Sequence, residues 1–429
     1  MMDLRIEKLV YGGDGLAHHD GRAVFVPLVL PGERVTAEPV EDKKKFIRAR
    51  LKGIVEPSVE RVAAPCPYFG RCGGCDYQHM AYEAQVRCKV EILRETLSRI
   101  GRIEWTGPIT ARLSPPFGYR NRAQWKIRAN GGGASPELGY FESRSTRLCS
   151  VTECQVLSPL LAKSLPALRQ ALASEKSLAS LDEVEIFADD AAQSLLVSGS
   201  AAGIKGPIAA VAESLRQALP ETHSILVQDR RAATFELFGP GYITYAAGGH
   251  AYRVGHLSFF QINRFLIEEL ISTIIGDARG NLALDLYAGV GLFTVALAAR
   301  YERVVGVESN LAAAKDLEFN LHQSGSHSTA SRHATAESFL ARWHERPDFV
   351  VLDPPRAGLA PQTVASLRKL APPGIAYLSC DPSTLARDLA ALIGGPAAPG
   401  PFQIQDIYLF DIFPQTYHME VLARLQRRT

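Results

Sequence analysis

Apolar residues recur along this chain in three rhythms, each predicting a different kind of element. Over residues 3–55 they form short runs, among them Ala23-Val24-Phe25-Val26 and Phe46-Ile47-Arg48-Ala49-Arg50-Leu51, separated by the turn signals Gly12-Gly13-Asp14-Gly15, Asp20-Gly21 and Pro31-Gly32. About five short strands fit a small β-barrel of the oligonucleotide-binding type. Over 82–100 the apolar residues Val86, Val90, Leu93 and Leu97 stand at helical spacing. Strand-like pieces at 124–128, 138–141, 183–187 and 194–197 then mix with helical runs at 158–174 and 204–219. From Tyr252 onward strands and helices alternate: strands at 281–287, 303–308, 349–353 and 375–380, helices at 292–300, 311–323, 361–370 and 385–393. That alternation predicts a doubly wound α/β sheet.

A chain of 429 residues exceeds the roughly 250–300 at which single cores usually split. We therefore expect three domains: an N-terminal barrel at 1–57, a central α+β domain at 58–250, and an α/β domain at 251–429 on which the helix 82–100 can pack. No apolar run approaches the ~18–20 residues of a membrane span, and Met1-Met2-Asp3-Leu4-Arg5 lacks a signal peptide's apolar core. The expectation is a cytoplasmic protein with no membrane partner. Net charge is only +2, but residues 61–150 carry 14 Lys or Arg against 7 Asp or Glu, while residues 151–429 carry 23 against 28. A basic stretch on an otherwise acidic chain suits a polyanion, with solvated surface charge as the plainer alternative. Lys43-Lys44-Lys45 and the segment from Tyr119 to Arg128, where Arg120, Arg122, Lys126 and Arg128 interleave with aromatics, are the candidate RNA-binding residues.

Seven cysteines in a reducing compartment point to metal or catalysis before disulfides. Cys66, Cys72 and Cys75 are spaced C-x5-C-x2-C, and both structural zinc and cubane iron-sulfur centres need a fourth ligand. Cys88, Cys149, Cys154 and His79 are available; Cys154, just after a loop, is the choice, and a 4Fe-4S cluster is preferred to zinc. Cys380 follows the apolar run 374–378, so its thiol stands at a strand's carboxyl end, where an open α/β sheet meets its ligands. In the turn after the strand 281–287, Gly289 and Gly291 permit close approach to backbone, but Thr294 interrupts a dinucleotide fingerprint. The acidic Asp285 nearby disfavours a phosphate and suits the cationic S-adenosylmethionine.

In these motifs taken together, the chain resembles the RNA 5-methyluridine methyltransferase family, in its cluster-containing branch acting on 23S ribosomal RNA. The resemblance runs through the Gly-Asp-Gly-Leu-Ala, Phe-Val-Pro and Leu-Pro-Gly-Glu-Arg-Val elements of a TRAM-like barrel and through the cysteine spacing with distal Cys154. It continues in Phe259-Phe260-Gln261-Ile262-Asn263, the stretch from Asp285 to Gly291, the stretch from Asp353 to Leu359, the stretch from Ser379 to Asp388, and His418-Met419-Glu420. Asp381 stands where the family commonly has Asn, and Tyr287-Ala288 where Phe-Cys is common. The resemblance implies a Rossmann-like methyltransferase domain in which Cys380 is the nucleophile and Glu420 the base. It also implies that Gln261, Tyr287, Glu308 and Asp353 contact S-adenosylmethionine, that Cys66, Cys72, Cys75 and Cys154 hold the cluster, and that a monomer binds 23S ribosomal RNA. Methylation of transfer RNA is the nearest rival; the barrel and the cysteines argue against it, because the transfer-RNA branch generally lacks both. A non-catalytic RNA-binding protein is the other.

Overall fold

The computed structural model describes residues 1–129, 136–325, 328–395 and 397–428. Among them no helix is long and apolar enough to cross a membrane. The N-terminal unit is one six-stranded sheet whose two edge strands, Met2–Arg5 and Lys8–Leu9, are consecutive pieces of a single segment. The first piece pairs with Arg34–Asp42 and the second with Gly15–His19. Leu4, Ile6, Val24, Val35 and Ile47 fill its interior. Lys43-Lys44-Lys45 lies at the exposed turn between Arg34–Asp42 and Phe46–Glu56.

The central region carries a seven-stranded mixed sheet that includes Arg122–Arg128 and ends at Thr234–Phe238, covered by the helices Pro159–Ser174 and Ile208–Ala218. Here the expectation of a nucleic-acid face on 119–128 is corrected. Tyr119 and Trp125 are buried, and the Trp125 indole donates to the Tyr140 hydroxyl at 2.9 Å. Arg122 lies 4.7 Å over the Phe187 ring and donates to the Ser258 carbonyl, while Lys126 is paired with Glu183. The alternation of base and aromatic reflects an inward apolar face with cations paired along it, which leaves Arg128 as the exposed cation of this strand.

The third sheet has eight strands. Thr329–His333, Tyr301–Glu308, Gly280–Leu286, Phe349–Leu352 and Gly374–Ser379 run parallel; Glu420–Arg427 is antiparallel to the last of these, followed by Phe402–Phe410 and Ile109–Arg112. The inner strands are apolar on both faces, as a sheet sandwiched between helices requires. The strand Ile109–Arg112 joins this sheet from outside 251–429, and the helix Tyr82–Gly101 packs Ile92, Leu93 and Leu97 into the same core as Leu385 and Leu389 of Pro382–Ile393. Neither Thr329–His333 nor the terminal pair is predicted by the alternation. The first is a half-exposed polar edge strand without an apolar rhythm, and the pair owes its place to long-range pairing.

Candidate active site

Strand register brings the elements of the site to one rim. Leu286 lies opposite Val307 on one side and Leu352 on the other, Leu352 opposite Tyr377, and Ser379 opposite Val421. One residue further toward the carboxyl ends come Tyr287, Glu308, Asp353 and Cys380, with Glu420 facing Cys380 because its strand is antiparallel. Neighbouring strands lie about 4.8 Å apart, so these side chains share one rim of the sheet.

The cofactor end of the rim is a cradle of carboxylates. Thr294 donates to Asp285 Oδ2 at 2.5 Å, while Asp285 Oδ1 is buried without a partner. Burial first, and the Glu308 charge behind it, push the Asp285 carboxyl up to about 7. Glu308 accepts from the Gly289 amide at 2.8 Å and the Asn310 amide at 2.6 Å, which fixes its direction and leaves lone pairs for a ribose hydroxyl. Gly289 has φ +56 with open space where a Cβ would stand, so backbone conformation and not crowding calls for glycine. Tyr287 takes φ +68 in the same turn and donates to Glu337 at 3.4 Å; left-handed backbone at a tyrosine costs about 1–3 kcal/mol and collects at functional sites. Phe260 packs with Tyr252, whose hydroxyl donates to the Leu292 carbonyl, and Gln261 beside it is buried.

At the other end, Cys380 precedes Asp381, which caps the helix Pro382–Ile393 by accepting from the Ser383 and Thr384 amides at 2.8 and 3.0 Å. Asp and Asn serve equally as such caps, which accounts for the departure at 381. The Cys380 thiol is pushed up to about 11 by burial and then by the Glu420 and Asp353 charges, with Arg356 opposing. Glu420 is buried and held well above the ordinary carboxylate range by burial, with Asp353 adding and Arg356 opposing. Such a pair is suited to proton transfer beside a nucleophile. Residues that sequence reasoning left without a role also converge. Tyr11, in the turn after Lys8–Leu9, donates to the Cys380 carbonyl at 3.4 Å, and Asp388 accepts from both Tyr377 and the Leu359 amide, holding the 353–359 loop down. Acidity at 388 is visible in sequence, but its two distant partners are not.

Cys66, Cys72, Cys75 and Cys154 line one cavity, with Tyr140 and Arg120 in its wall. All four thiols are free, and burial pushes Cys72 and Cys75 up to about 12. Cys88 lies on the helix Tyr82–Gly101 away from this cavity. Among the described residues, no group of three or more His, Cys, Asp or Glu is already arranged as a metal site.

A doubly wound sheet with carboxylates at its first turn, and a thiol beside a buried glutamate at the neighbouring strand ends, is the arrangement expected of S-adenosylmethionine-dependent methyltransferases. A family model described as tRNA (Uracil-5-)-methyltransferase matches residues 81–428, and the chain belongs to this family. An uncharacterized RNA methyltransferase of Aquifex aeolicus is 34% identical over 438 residues, covering 99% of this chain and 98% of the relative. The 23S rRNA (uracil(1939)-C(5))-methyltransferase RlmD of Klebsiella pneumoniae is 32% identical over 423 residues, 97% and 93% of the two chains. The solved structure of a Pyrococcus abyssi tRNA (uracil-54, C5)-methyltransferase in complex with S-adenosyl-L-homocysteine superposes with TM-score 0.77 at 26% identity, covering 99% of this chain and 100% of that one. That coverage corrects one expectation: a transfer-RNA enzyme shares the whole architecture, so the presence of an N-terminal unit does not exclude transfer RNA. The activity of this chain is S-adenosylmethionine-dependent methylation of RNA uracil at C5.

Proposed function

We propose that the chain methylates a uridine of 23S ribosomal RNA through a covalent adduct on Cys380, with Glu420 as the base that closes the reaction. The observation carrying this reading is the placement of Cys380 and the buried Glu420 each one residue beyond the Ser379–Val421 pair, close enough for the Glu420 charge to act on the thiol, at the rim that also holds Asp285, Glu308 and Asp353. Uracil C5 is a weak nucleophile. The Cys380 sulfur, once deprotonated, bonds to C6, and the electron pair of the C5–C6 double bond makes C5 the nucleophile that takes the methyl group from the sulfonium. Glu420 then accepts the C5 proton, the double bond re-forms and the thiolate leaves. The target base must leave its stack to reach Cys380. Gln261, Tyr287, Glu308 and Asp353 are assigned to the cofactor.

The ribosomal target is supported by the names of relatives such as the Klebsiella enzyme. The N-terminal unit, 1–57, is read as an OB-like TRAM barrel because its edge strands are one continuous segment pairing on both sides. A groove of about 850 Å³ between it, the cysteine loop and Tyr417, bordered by Arg50, Arg71, Arg144 and Arg147, suits an RNA strand approaching the site. The central domain, 58–250, is read as carrying a cubane 4Fe-4S cluster on Cys66, Cys72, Cys75 and Cys154. Four unpaired thiols on one cavity fit that group, which would supply a structural cross-link between the cysteine loop and the central sheet. The protein acts as a cytoplasmic monomer on this reading.

Three experiments test it. Cys380→Ala should bind RNA yet form no adduct, whereas Glu420→Gln should accumulate an RNA–protein adduct stable to denaturing gels; adduct on the first variant or full turnover by the second overturns the roles. Mass mapping of ribosomal and transfer RNA from a strain lacking the protein should show one class of 5-methyluridine missing from 23S RNA, and loss confined to transfer RNA would replace the target. Anaerobically purified protein should be brown with about four iron atoms per chain; colourless protein holding one zinc defeats the cluster.

A further inference from the structure

The loop 411–419, which delivers Glu420 from the preceding strand, makes few hydrogen bonds of its own: Thr416 turns back to the Phe413 carbonyl, and the His418 amide donates to Thr416. Its remaining polar groups are held from outside, one after another. Lys89 donates to Asp411 at 2.6 Å and to the Phe413 carbonyl at 3.1 Å; Asn263 donates to the Ile412 carbonyl at 2.9 Å, and Tyr119 to the Pro414 carbonyl at 3.1 Å. Gln415 is the densest point. Its amide donates to Gln85 Oε1 at 3.0 Å and its side-chain oxygen accepts from Gln85 Nε2 at 3.0 Å. Its carbonyl accepts from the Asp76 and Tyr77 amides at 2.8 and 2.9 Å. Gln85 is fully buried, and its Nε2 also donates to the Tyr77 and Met80 carbonyls. Gln415 itself has φ +68, a left-handed conformation that a residue with a side chain keeps only where its surroundings impose it.

We infer that Gln85 is a positioning residue for the proton-removal step: it clamps Gln415 in its left-handed turn and so sets where the Glu420 carboxyl stands relative to C5 of the bound base. The inference rests on the role given to Glu420 under the proposed function. An amide is the side chain this position needs, because one end must accept from Gln415 while the two N–H groups of the other are shared among three oxygens; an ionised carboxylate of the same shape offers acceptors alone. Asp76 strengthens the clamp by accepting from the Tyr417 amide at 3.3 Å. Since Asp76 follows Cys75 directly, the same few residues tie the cysteine loop to the loop carrying the base. Releasing the clamp frees the turn at Gln415 to relax, and a displacement of about 1 Å at a reacting group is enough to cost on the order of 100-fold in rate.

A merely structural residue would degrade every step alike; a positioning residue for the base degrades one. Gln85→Leu should bind S-adenosylhomocysteine and RNA within about twofold of wild type and keep its KM for RNA. Its kcat should fall roughly 10- to 100-fold while the denaturation-resistant RNA adduct accumulates, as expected for Glu420→Gln. Gln85→Glu, which keeps the acceptor and the volume, is the second variant should the leucine form not fold, and the same adduct is expected from it. Wild-type turnover without adduct in a folded variant overturns the inference, as does an equal loss of cofactor binding, RNA binding and adduct formation. Glu420→Gln run alongside separates the two failures: if it accumulates no adduct, the role of Glu420 falls and takes the inference with it.

Discussion

The two ends of the proposed catalytic rim are held in opposite ways. At the cofactor end, Asp285 is fixed by Thr294, 9 residues away, and Gly289 by Glu308, 19 residues away. At the base end, the partners of the 411–419 loop lie 330 residues away at Gln85, 322 at Lys89, 295 at Tyr119 and 149 at Asn263. The first arrangement closes within one strand–turn–helix unit and the strand that follows it, so its loop-closure cost is small. The second exists only when the N-terminal helix, the central domain and the last hairpin have docked. On the proposed roles, a base held by the rest of the molecule is in place only in the fully assembled enzyme, whereas a cofactor cradle of local hydrogen bonds needs its own unit alone.

The sharpest way to break this comparison is to remove one long-range anchor. Lys89 and Asp411 are both fully buried and paired through Asp411 Oδ1, while Asp411 Oδ2 makes no hydrogen bond. Lys89→Met leaves a buried charge unpaired and should cost about 3–5 kcal/mol of stability, read as a fall in denaturant midpoint. Lys89→Met with Asp411→Leu should recover most of that loss. If the single variant unfolds with wild-type stability, the base end is not held as described.

A smaller effect probes the cofactor end by pH. Asp285 sits at about 7 because it is buried beside Glu308, so below that pH the free enzyme holds a proton that a sulfonium must expel. Affinity for S-adenosylmethionine should therefore weaken as pH falls below about 7, by at most about tenfold per unit for one group, and level off above it. S-adenosylhomocysteine, which lacks the positive charge, should show a flatter profile in calorimetry. Equal slopes for the two ligands would mean that the carboxylates do not sense the sulfonium.

The smallest effect concerns neither end. Neutralising Lys43, Lys44 and Lys45 should leave kcat at saturating RNA unchanged while flattening the salt dependence of RNA binding by about 0.7 in log–log slope for each phosphate no longer neutralised. An unchanged slope would show these lysines to be solvated charge.

The same contrast governs how much was readable from the chain. The strand ends bearing Asp285, Glu308, Asp353 and Cys380 follow from apolar runs broken by Gly and Pro, and each is a local pattern a few residues long. The basic residues around 119–128 misled because strand periodicity says which residues alternate, not which face meets the interior; burial of Tyr119 and Trp125 settled that. Nothing local marks Gln85 or Lys89 as parts of an active site, since an amide or ammonium on an amphipathic helix reads as an ordinary solvated side chain.

The sequence by itself determined the doubly wound order of the 281–393 region, the glycine turn with its carboxylates, the thiol at a strand end and the clustered cysteines, because each depends on residues adjacent in the chain. Only the tertiary structure decided that the strand Ile109–Arg112 completes the eight-stranded sheet, that Arg122 and Lys126 are engaged internally, and that Glu420 comes beside Cys380. The physical reason is that pairing register and buried polar partners are chosen by which surfaces exclude water together, and that choice is made across hundreds of residues.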